Sequence, residues 1–572
     1  MPGASENRIE SVFALRHSWR IAVLVFVSLL AYANSLPNSF TMDDNLYILT
    51  NPMVTHFSWP AVFRVTSYNN VFRPLTFASF ALNWALGSNH PFGYHLLNLL
   101  LHVAVVVLLY LLLQKLLSSL PEAALLAFVA ALLFAVHPLH TEAVDSIAAR
   151  SELLAVAFVL LAWLFHVLDW PILSLVTFLL ALLAKESAVA FVPLVLVGDY
   201  VHRKLKPLYR YVLILAAALA YMGALWKIQG GKFGEKAITF LDNPLAHLPA
   251  SLRILNALRI SWKYLALHLY PRVLSCDYSY NAILLYSKWR YGLLAAAATA
   301  FVLALWLWAL GTNRKPWVLA GAIYLSAFVV TANLLMPTGT IMAERLAYLP
   351  SAGFCLLLAL IWFQFAKRNS SAAWLLLGVV LIVFGARTVV RNRDWRDNFT
   401  LFSSAVKVVP RSAKAHSNLA VSYYQAGQID AADREVHAAL GIYPDIAEAV
   451  DLAGLIELQR GHDDQARTLL EKALTLTTKD SPNYQLEAVD LAAVFSRLGQ
   501  NDRALQILDQ QIAQSPNYSL AWSNRAVIRY QQGQFQLARA DAQQALTLDP
   551  SNSQARNLLA ALDNFVPAHA NP

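Results

Sequence analysis

Long apolar runs alternate with short polar connections through the first 390 residues of the chain. About 20 apolar residues in an α-helix are needed to cross a bilayer, and we count eleven runs that approach or reach this length. The pattern therefore predicts about eleven transmembrane helices, at residues 21–36, 95–117, 121–138, 150–168, 171–184, 187–201, 211–227, 289–310, 317–335, 350–366 and 372–388.

Two connections, residues 37–94 and 228–288, are too long for tight loops. They contain semi-apolar stretches with interspersed Arg, Trp and Tyr, a pattern typical of helices that lie in the plane of the membrane interface. We predict such a helix at residues 252–271. A re-entrant pair of helices is the alternative.

A second pattern, with a period near 34 residues, occupies residues 405–560. Successive prolines are 34, 38, 34 and 34 residues apart, at Pro410, Pro444, Pro482, Pro516 and Pro550. A glycine follows each of the first four prolines by 17 residues, at Gly427, Gly461, Gly499 and Gly533. This period, with small residues in register, is the signature of tetratricopeptide (TPR) repeats. It divides the chain into a membrane domain at 1–400 and an α-solenoid at 401–572, with four repeats and a capping helix at 553–566.

Composition and charge agree with this division. The chain is 58% hydrophobic and 14% charged, with a mean hydropathy of +0.47, whereas an average soluble domain carries about 25% charged residues. The net charge is +9, but residues 401–572 hold 14 basic and 18 acidic residues. The basic excess therefore belongs to the membrane half and does not indicate nucleic-acid binding. Two distant cysteines, Cys276 and Cys355, form neither a disulfide framework nor a zinc site.

Basic loops predict the orientation of the helices, because Lys and Arg collect on the cytoplasmic side. The N-terminus and residues 202–210, 312–315 and 366–368 fall on one side in our count, which we assign to the cytoplasm. The chain after residue 390 then lies on the non-cytoplasmic side. The basic stretch 387–398 disagrees with this assignment, so that it either binds an anionic group or reveals a miscount by one helix.

The N-terminal segment has a second interpretation. Arg8, Arg16 and Arg20 precede the run 21–36, and the sequence AYA at 31–33 fits a signal-peptide cleavage site. The many further apolar runs favour a first transmembrane helix.

Two adjacent carboxylates, Asp43 and Asp44, lie in the stretch FTMDDNLYILTNP at residues 40–52, on the predicted outer side. A solvated turn is one interpretation. The apolar and aromatic surroundings favour a second, in which one carboxylate acts as a general base. In a third, the pair holds a divalent cation through its oxygen atoms.

Further polar residues collect on the same predicted side. Arg73 and Arg150 are interpreted as interfacial anchors or as phosphate ligands. Lys185 and Arg345 either form ion pairs with their neighbours in sequence or belong to the same phosphate site. A metal site at His137, His140 and Glu142 is disfavoured because Pro138 interrupts the helix face, so we predict hydrogen bonding within the loop. On the helix near 95–117, a shared face predicts helix-to-helix hydrogen bonds from His95, Asn98 and His102.

Several long motifs resemble one known family. The stretches FTMDDNLYILTNP, FRPLTFASFALNWALGSNHPFGYHLLNLLLH, LFAVHPLHTEAVDSIAARSELLA, LLAKESA, LYPRVLSCDYSYN and AERLAYLPSAGFCLLL occur in the order found in the transmembrane and TPR-containing (TMTC) protein O-mannosyltransferases. The repeats that follow the last helix match this family as well. The chain is therefore identified as resembling a TMTC protein.

The resemblance implies a C-type glycosyltransferase (GT-C) fold with its active site on the non-cytoplasmic face. It implies transfer of a sugar, expected to be mannose, from a polyprenyl-phosphate donor to Ser or Thr hydroxyls of proteins. Asp43 matches the family's catalytic base and Asp44 the second acid of the pair. The donor phosphate is assigned to Arg73, Arg150, Lys185 and Arg345, and supporting roles fall to His137, His140, Glu142 and Glu344. The lipid-linked sugar donor serves as co-substrate, no cofactor is assigned, and a divalent cation at Asp43 and Asp44 is left open.

The partners implied are the lipid-linked donor, membrane lipids and an acceptor polypeptide in the TPR groove. The short repeat array and Ala-rich helices resemble bacterial members, which places the protein in a plasma membrane, or in the endoplasmic reticulum membrane if the source is eukaryotic. One rival hypothesis is a membrane-anchored TPR scaffold for envelope assembly without enzymatic activity. Another keeps the transferase but replaces the protein acceptor with a lipid or glycan.

Overall fold

The structure of the chain is a computed structural model that describes residues 18–63, 71–202, 204–228, 238–312, 314–479 and 481–564. These residues form α-helices and short helical turns, without a β-strand among them. The chain divides into two compact units, and the second begins at Ala413. The sequence pattern places this boundary at residue 400.

Unit 1 contains the apolar runs. Its helices are α1 Ser18–Tyr32, α2 Pro52–Thr55, α3 Trp59–Phe63, α4 Pro74–Gly87, α5 Pro91–Leu116, α6 Ala123–Ala135, α7 Thr141–Asp145, α8 Arg150–Val167, α9 Pro171–Ala184, α10 Phe191–His202, α11 Leu208–Ile228, α12 Ala250–Leu269, α13 Leu293–Gly311, α14 Lys315–Val329, α15 Pro350–Ala366, α16 Ser370–Asn392 and α17 Asn398–Val408.

Helices α5, α6, α8 and α15 form the interior of unit 1 and pack against one another. Nearly every side chain of α6 is buried, as expected for a helix that is apolar on all sides. Helix α13 is also apolar on all sides, yet none of its side chains is buried. Its exposed Leu294, Phe301 and Trp308 form a surface suited to lipid rather than water.

All eleven predicted runs fall on helices, but the number of membrane spans is not confirmed. Six of the described helical segments are long and apolar enough to cross a membrane, or seven if α6 and the residues to Asp145, bent by 56°, count as one. Helices α9, α14 and α15 are apolar but shorter. With a rise of about 1.5 Å per residue they do not reach the roughly 30 Å of a bilayer core. The fold is therefore a polytopic helical membrane domain with fewer full-length spans than predicted.

The predicted interfacial segment 252–271 is helical, as α12. One face of α12 buries Ile260, Tyr264 and Leu267 in a second, smaller core of unit 1. The location of α12 relative to the membrane interface stays a prediction.

The C-terminal end of α16 meets the end of α1 and the loop after α6. Asn392 Nδ2 donates to the carbonyl oxygen of Ala31 at 2.9 Å, and Thr388 Oγ1 donates to the carbonyl oxygen of Val136 at 2.8 Å. The basic stretch 387–398 thus lies at the same end of the unit as the first loop, as the predicted orientation requires. Part of its charge is neutralised within the stretch, since Arg391 pairs with the neighbouring Asp394 at 2.9 Å.

Unit 2 is an array of four helix pairs followed by a single helix. The pairs are α18 Ala413–Gln425 with α19 Ile429–Ile442, α20 Ala447–Arg460 with α21 Asp463–Leu476, α22 Pro482–Arg497 with α23 Asn501–Gln514, and α24 Ser519–Gln531 with α25 Phe535–Leu548, and the last helix is α26 Ser553–Asn564. The four pairs and the last helix lie within the predicted solenoid at 401–572.

The recurrent glycines end the first helix of each pair. All four have a positive φ, for example 83° at Gly461, a conformation that only glycine adopts without strain. The small residue at the helix crossing also has a physical reason, because a Cβ atom at Gly454 would lie 2.7 Å from Leu470 Cγ.

Candidate active site

The two adjacent carboxylates differ sharply in environment. Asp44 is completely buried, and its side chain accepts the backbone N–H of Thr41 at 2.8 Å and that of Ala148 at 2.7 Å. It therefore ties the first loop to the turn that precedes α8. Burial raises the pKa of Asp44 to about 7, although these two N–H donors act to lower it.

Replacing Asp44 with alanine is expected to lower the free energy of unfolding of unit 1 by about 3 kcal/mol. The substitution leaves two backbone N–H groups at a buried site without an acceptor, and each costs about 1–3 kcal/mol. Thermal unfolding of the full chain in detergent measures this. Asp43→Ala, at an exposed neighbouring position, serves as the matched control, and equal losses in the two variants would contradict a structural role for Asp44.

Asp43 is exposed. Its carbonyl oxygen accepts the backbone N–H of Tyr47 at 2.9 Å, which begins the short helix Asn45–Leu49. Within the described part of the chain, its carboxylate has no hydrogen bond or ion pair. The preceding residue, Met42, has φ of 50°, so the chain turns sharply just before the pair. This carboxylate is accessible to a substrate hydroxyl.

Arg345 lies within the electrostatic range of Asp43. Burial lowers the pKa of Arg345, but the carboxylates of Glu142 and Asp43 outweigh this effect and hold it above its ordinary value. The guanidinium pairs with Glu142, whose other oxygen accepts the Arg345 backbone N–H at 2.9 Å. Since the Arg345 side chain is still 31% exposed, one face of the guanidinium is open to an anionic ligand.

Two more ion pairs lie where α4, α8 and α9 begin or end. Lys185, directly after α9, pairs with Glu152 in the first turn of α8, and both side chains are buried. Arg73, directly before α4, binds Glu186 through two N–H groups at 2.7 and 3.1 Å. Its third contact is with Ser151 Oγ at 3.4 Å. Each predicted phosphate ligand of this group already has a carboxylate partner.

These pairs belong to one polar cluster. Burial lowers the pKa of Lys185, Glu152 opposes this, and the positive charges of Arg73 and Arg345 act in the same direction as burial. The ammonium group of Lys185 therefore lies within electrostatic range of both guanidinium groups. The structure brings together Asp43, Arg345, Lys185 and Arg73, which are far apart in sequence, on a face where cations alternate with carboxylates.

Arg150 has a different environment from the other predicted phosphate ligands. It is completely buried, and it donates to the side chains of Asn98 at 2.8 Å and Asn83 at 2.7 Å and to the carbonyl oxygens of Tyr94 and Ser79. Its charge is thus satisfied by neutral acceptors that join α4, α5 and α8. In this conformation a phosphate has no access to it, and we leave it out of the proposed donor site.

The histidines of the loop after α6 bind other segments of unit 1. His137 Nε2 lies 3.1 Å from the carbonyl oxygen of His268, at the end of α12, and His137 Nδ1 accepts the backbone N–H of Leu139 at 3.2 Å. His140 Nε2 lies 2.6 Å from Ser351 Oγ in α15. Both histidines are buried, so they fix this loop rather than face a substrate.

Glu344 supports the neighbouring loop at residues 275–278. Its buried carboxylate accepts the backbone N–H of Ser275 and the hydroxyl of Tyr278, both at 2.7 Å. Burial raises the pKa of Glu344 to about 7, although the positive charge of Arg391 opposes this. Glu344 therefore positions the segment that carries Arg345.

The sequence analysis did not assign Glu152 or Glu186 to the site, although both are ion-pair partners of predicted phosphate ligands. Glu152 follows Arg150 by two residues and lies on an apolar helix. A carboxylate at such a position indicates a buried partner, and this signal was present in the sequence.

A small cavity of about 10 Å³, with room for about one water molecule, lies beside this cluster. Glu152 is at its polar side, and the other lining residues come from α8, from the turn Glu186–Ala190, and from the segments around Ala327 and Leu349. Most of the lining residues are apolar.

A divalent cation does not fit the acidic pair. Both side-chain oxygens of Asp44 already accept backbone N–H groups, and the described residues include no group of three or more His, Cys, Asp or Glu side chains that could hold a metal ion. We therefore derive no step through a metal.

Comparison with known families identifies the repeats of unit 2. The tetratricopeptide repeat family matches residues 418–483 and 519–552. The solved structure of YrrB, described as a TPR protein with an unusual peptide-binding site, is 18% identical and covers 29% of this chain and 93% of that chain. Its TM-score of 0.23 is too low to carry an argument.

Comparison with curated proteins extends to the membrane unit. The mouse protein O-mannosyl-transferase TMTC3 is 28% identical over 604 residues, which cover 93% of this chain and 64% of the mouse protein. The Caenorhabditis elegans protein O-mannosyl-transferase F38B6.6 is 30% identical over 415 residues, which cover 70% of this chain and 59% of that protein. The chain thus spans about three fifths of the length of these relatives. They are animal proteins, and the bacterial origin stays a prediction.

These matches extend over most of the chain, and they support a likeness of the whole chain rather than the role of any one residue. Over most of its length the chain is similar to the transmembrane and TPR-containing (TMTC) proteins, whose curated members are named protein O-mannosyl-transferases.

Proposed function

We propose that this protein transfers a sugar, mannose by analogy with the names of its relatives, from a polyprenyl phosphate to Ser or Thr hydroxyls of polypeptides. The observation that carries the proposal is the exposed carboxylate of Asp43 within electrostatic range of the partly exposed side chain of Arg345. Glycosyl transfer from a phosphate requires a base and an anion-binding cation in the same site.

The proposed chemistry assigns one task to each group. The acceptor hydroxyl oxygen attacks the anomeric carbon from the face opposite the phosphate, and Asp43 takes the hydroxyl proton. The bond between the anomeric carbon and the phosphate oxygen breaks, and its electron pair stays on the phosphate. The configuration at the anomeric carbon is inverted.

Cations of the polar cluster are proposed to bind the departing phosphate. Negative charge grows on the phosphate as the bond breaks, so that an N–H donor in place beforehand stabilises the transition state more than the ground state. Arg345 is the first candidate because its guanidinium is partly exposed. Arg73 and Lys185 line the same face, and they must exchange or share their carboxylate partners to contribute.

The polyprenyl chain is proposed to lie between helices of unit 1, next to α8 and α14. The small cavity between these two helices has mostly apolar lining residues, with Glu152 at one side, and it must widen to admit a hydrocarbon chain. In this proposal unit 1 has the GT-C arrangement, with the active site on the non-cytoplasmic face. The orientation rests on the basic loops at 202–210, 312–315 and 366–368.

Unit 2 is proposed to recruit the acceptor polypeptide. TPR arrays present concave binding surfaces, and a covalent connection to the membrane unit raises the effective concentration of a bound acceptor near the catalytic residues. The predicted orientation assigns the residues after 390 to the non-cytoplasmic side, which is the side proposed for the transfer.

Glycoproteomics of host cells with and without this chain tests the proposed function. Loss of hexose from Ser or Thr of a defined set of peptides is expected on deletion, with recovery when the wild-type chain is returned. If the glycopeptides are unchanged while a glycolipid is lost, the acceptor is a lipid and the proposal of a protein acceptor is wrong. If neither changes, the scaffold hypothesis replaces it.

A further inference from the structure

The inner face of the TPR array is formed by the first helices of the repeats. Successive first helices, α18, α20, α22 and α24, pack against one another more closely than successive second helices do. In a curved array the helices that approach each other lie on the inside of the curve. Side chains between α20 and α22 therefore lie next to the groove, and the outer ones border it.

Four carboxylates meet between α20 and α22. Glu448 and Asp451 lie one helical turn apart on α20, and Glu487 and Asp490 are similarly spaced on α22. The negative charges of Asp490, Glu487 and Glu448 all raise the pKa of Asp451. The four side chains thus lie within electrostatic range of one another, and we call them the acidic cluster.

None of the four has an ion-pair partner among the described residues of either unit. Elsewhere in unit 2, acidic side chains are matched with arginine: Arg460 pairs with Asp433 at 2.8 Å, and Arg525 pairs with Asp541 at 2.7 Å and with Asp509 at 2.6 Å. Several carboxylates of the array are thus paired with arginine, whereas the four members of this group have no such partner among the described residues.

Two members of the acidic cluster are buried and retain an oxygen without a partner. Asp451 is 7% exposed, and its Oδ1 has no hydrogen bond. Glu487 is 2% exposed; one of its oxygens accepts the Thr477 hydroxyl at 2.8 Å, and Oε2 has no hydrogen bond. A buried carboxylate oxygen that lacks a donor costs free energy. A cation that entered between the two helices would remove this cost.

The shape of the acidic cluster favours the charged tip of a long side chain over a metal ion. In the part of the chain that the structure describes, no three of its acidic, His or Cys side chains converge closely enough to hold a metal ion. A long side chain with a terminal charge fits better, because it can pass the exposed Glu448 and reach the deeper Asp451. Lysine and arginine have this form, with an apolar stem and several N–H donors at the tip.

We propose that the acidic cluster binds a lysine or arginine side chain of a polypeptide that lies in the TPR groove. The cationic tip donates to Asp451 and Glu487, and Glu448 and Asp490 line the entrance. The inference concerns which polypeptides unit 2 recruits. It stands or fails independently of the transfer reaction, because binding is measured without a sugar donor.

Peptide binding to the purified full-length chain in detergent tests this directly. The probe is a fluorescein-labelled 12-residue peptide of alanine and serine with four lysines, compared with the same peptide in which every lysine is acetylated. We expect the lysine peptide to bind at least tenfold more tightly than the acetylated one. Asp451→Asn and Glu487→Gln should each weaken its binding about tenfold, while Asp433→Asn, which removes an acid already paired with Arg460, should leave it unchanged.

The contribution of the acidic cluster to folding distinguishes a binding site from a cluster that only stabilises the array. Burial, together with the neighbouring carboxylates, raises the pKa of Asp451 to about 8, and burial raises that of Glu487 to about 7. A carboxyl group whose pKa is higher in the folded state favours folding below its ordinary pKa, and this contribution is lost as the pH rises through 7 to 8.

Asp451→Asn should therefore slow hydrogen exchange of α20 and α22 at pH 8 relative to the wild type, while it weakens peptide binding. A structural residue would show faster exchange in the variant. Faster exchange, equal binding of the lysine and acetyl-lysine peptides, or no binding of either would each overturn the proposal. Spermidine that bound as tightly as the lysine peptide would identify a small polyamine as the occupant and would also overturn it.

Discussion

Asp43→Asn is expected to lower sugar transfer by at least about 10²-fold, within the range of 10²–10⁴ for a general base. The amide has nearly the same shape as the carboxylate but does not take up the hydroxyl proton. Because Asp43 is exposed and its carboxylate has no hydrogen bond within the described residues, the variant should fold and insert normally. The measurement is the initial rate of hexose transfer to a Ser/Thr peptide by the purified chain in detergent.

The control for this prediction is a second acid of the same chain, since Asp433→Asn also removes one negative charge, but in unit 2. Its transfer rate with a peptide that lacks basic residues should equal that of the wild type. If Asp43→Asn retained the wild-type rate while both variants showed the wild-type unfolding temperature, Asp43 would not be the base.

Loss of the Arg345 guanidinium is expected to lower the turnover number by about 10²–10³-fold, the range reported for removing one donor to a developing negative charge. The single substitution would leave Glu142, which is 1% exposed, buried without a partner and would destabilise the fold. The informative variant is therefore the double substitution Glu142→Gln and Arg345→Gln, which removes both charges of the pair.

Glu142→Gln alone is the matched control, because it keeps the cation and removes only the carboxylate. We expect it to lose far less activity than the double variant. The two are compared by their turnover numbers and by their KM for the donor, at equal unfolding temperature. Equal activity of the two variants would show that the guanidinium does not stabilise the phosphate.

The sequence predicted the TPR array almost completely, because its pattern is local. Gly427, Gly461, Gly499 and Gly533 each stand where a helix ends with a positive φ, a requirement that glycine meets at little cost. The pairing of helices follows from the period alone. Neither feature depends on contacts between distant parts of the chain.

The number of spans was less predictable. A run of apolar residues indicates burial in lipid or in protein, but not which of the two. Helices α6 and α15 are apolar because they are buried among other helices, whereas α13 is apolar with no buried side chain. Only packing distinguishes these cases, so eleven apolar runs gave eleven helices but fewer helices of spanning length.

The site was predicted in part, and the misses have one physical cause. Charged residues next to apolar runs were predicted to share one polar face, and Lys185 lies within electrostatic range of both Arg73 and Arg345. Their partners are distant in sequence, for example Glu152 for Lys185 and Glu186 for Arg73, so spacing alone did not reveal them. The burial of Arg150 among neutral acceptors was not predicted either, because these acceptors are also distant in sequence. Asn98 accepts a hydrogen bond from Arg150, which agrees with the predicted polar face of α5.

The two adjacent carboxylates of the acidic pair have very different environments. Asp43 and Asp44 are adjacent and chemically identical, yet one is exposed and the other is completely buried on two backbone N–H groups. The sequence motif marks the pair, and the turn at Met42 separates their environments. The division into an exposed and a buried acid therefore comes from the fold.

Reconstitution of the transfer reaction tests the central claim most directly. The purified full chain in detergent is given a polyprenyl phosphate carrying mannose and a peptide containing serine and threonine, and the peptide is analysed by mass spectrometry. The account predicts a peptide that gains one hexose on a hydroxyl with inverted anomeric configuration, formed by the wild type and not by Asp43→Asn. A modified peptide formed equally well by both proteins, or a retained configuration, would contradict it.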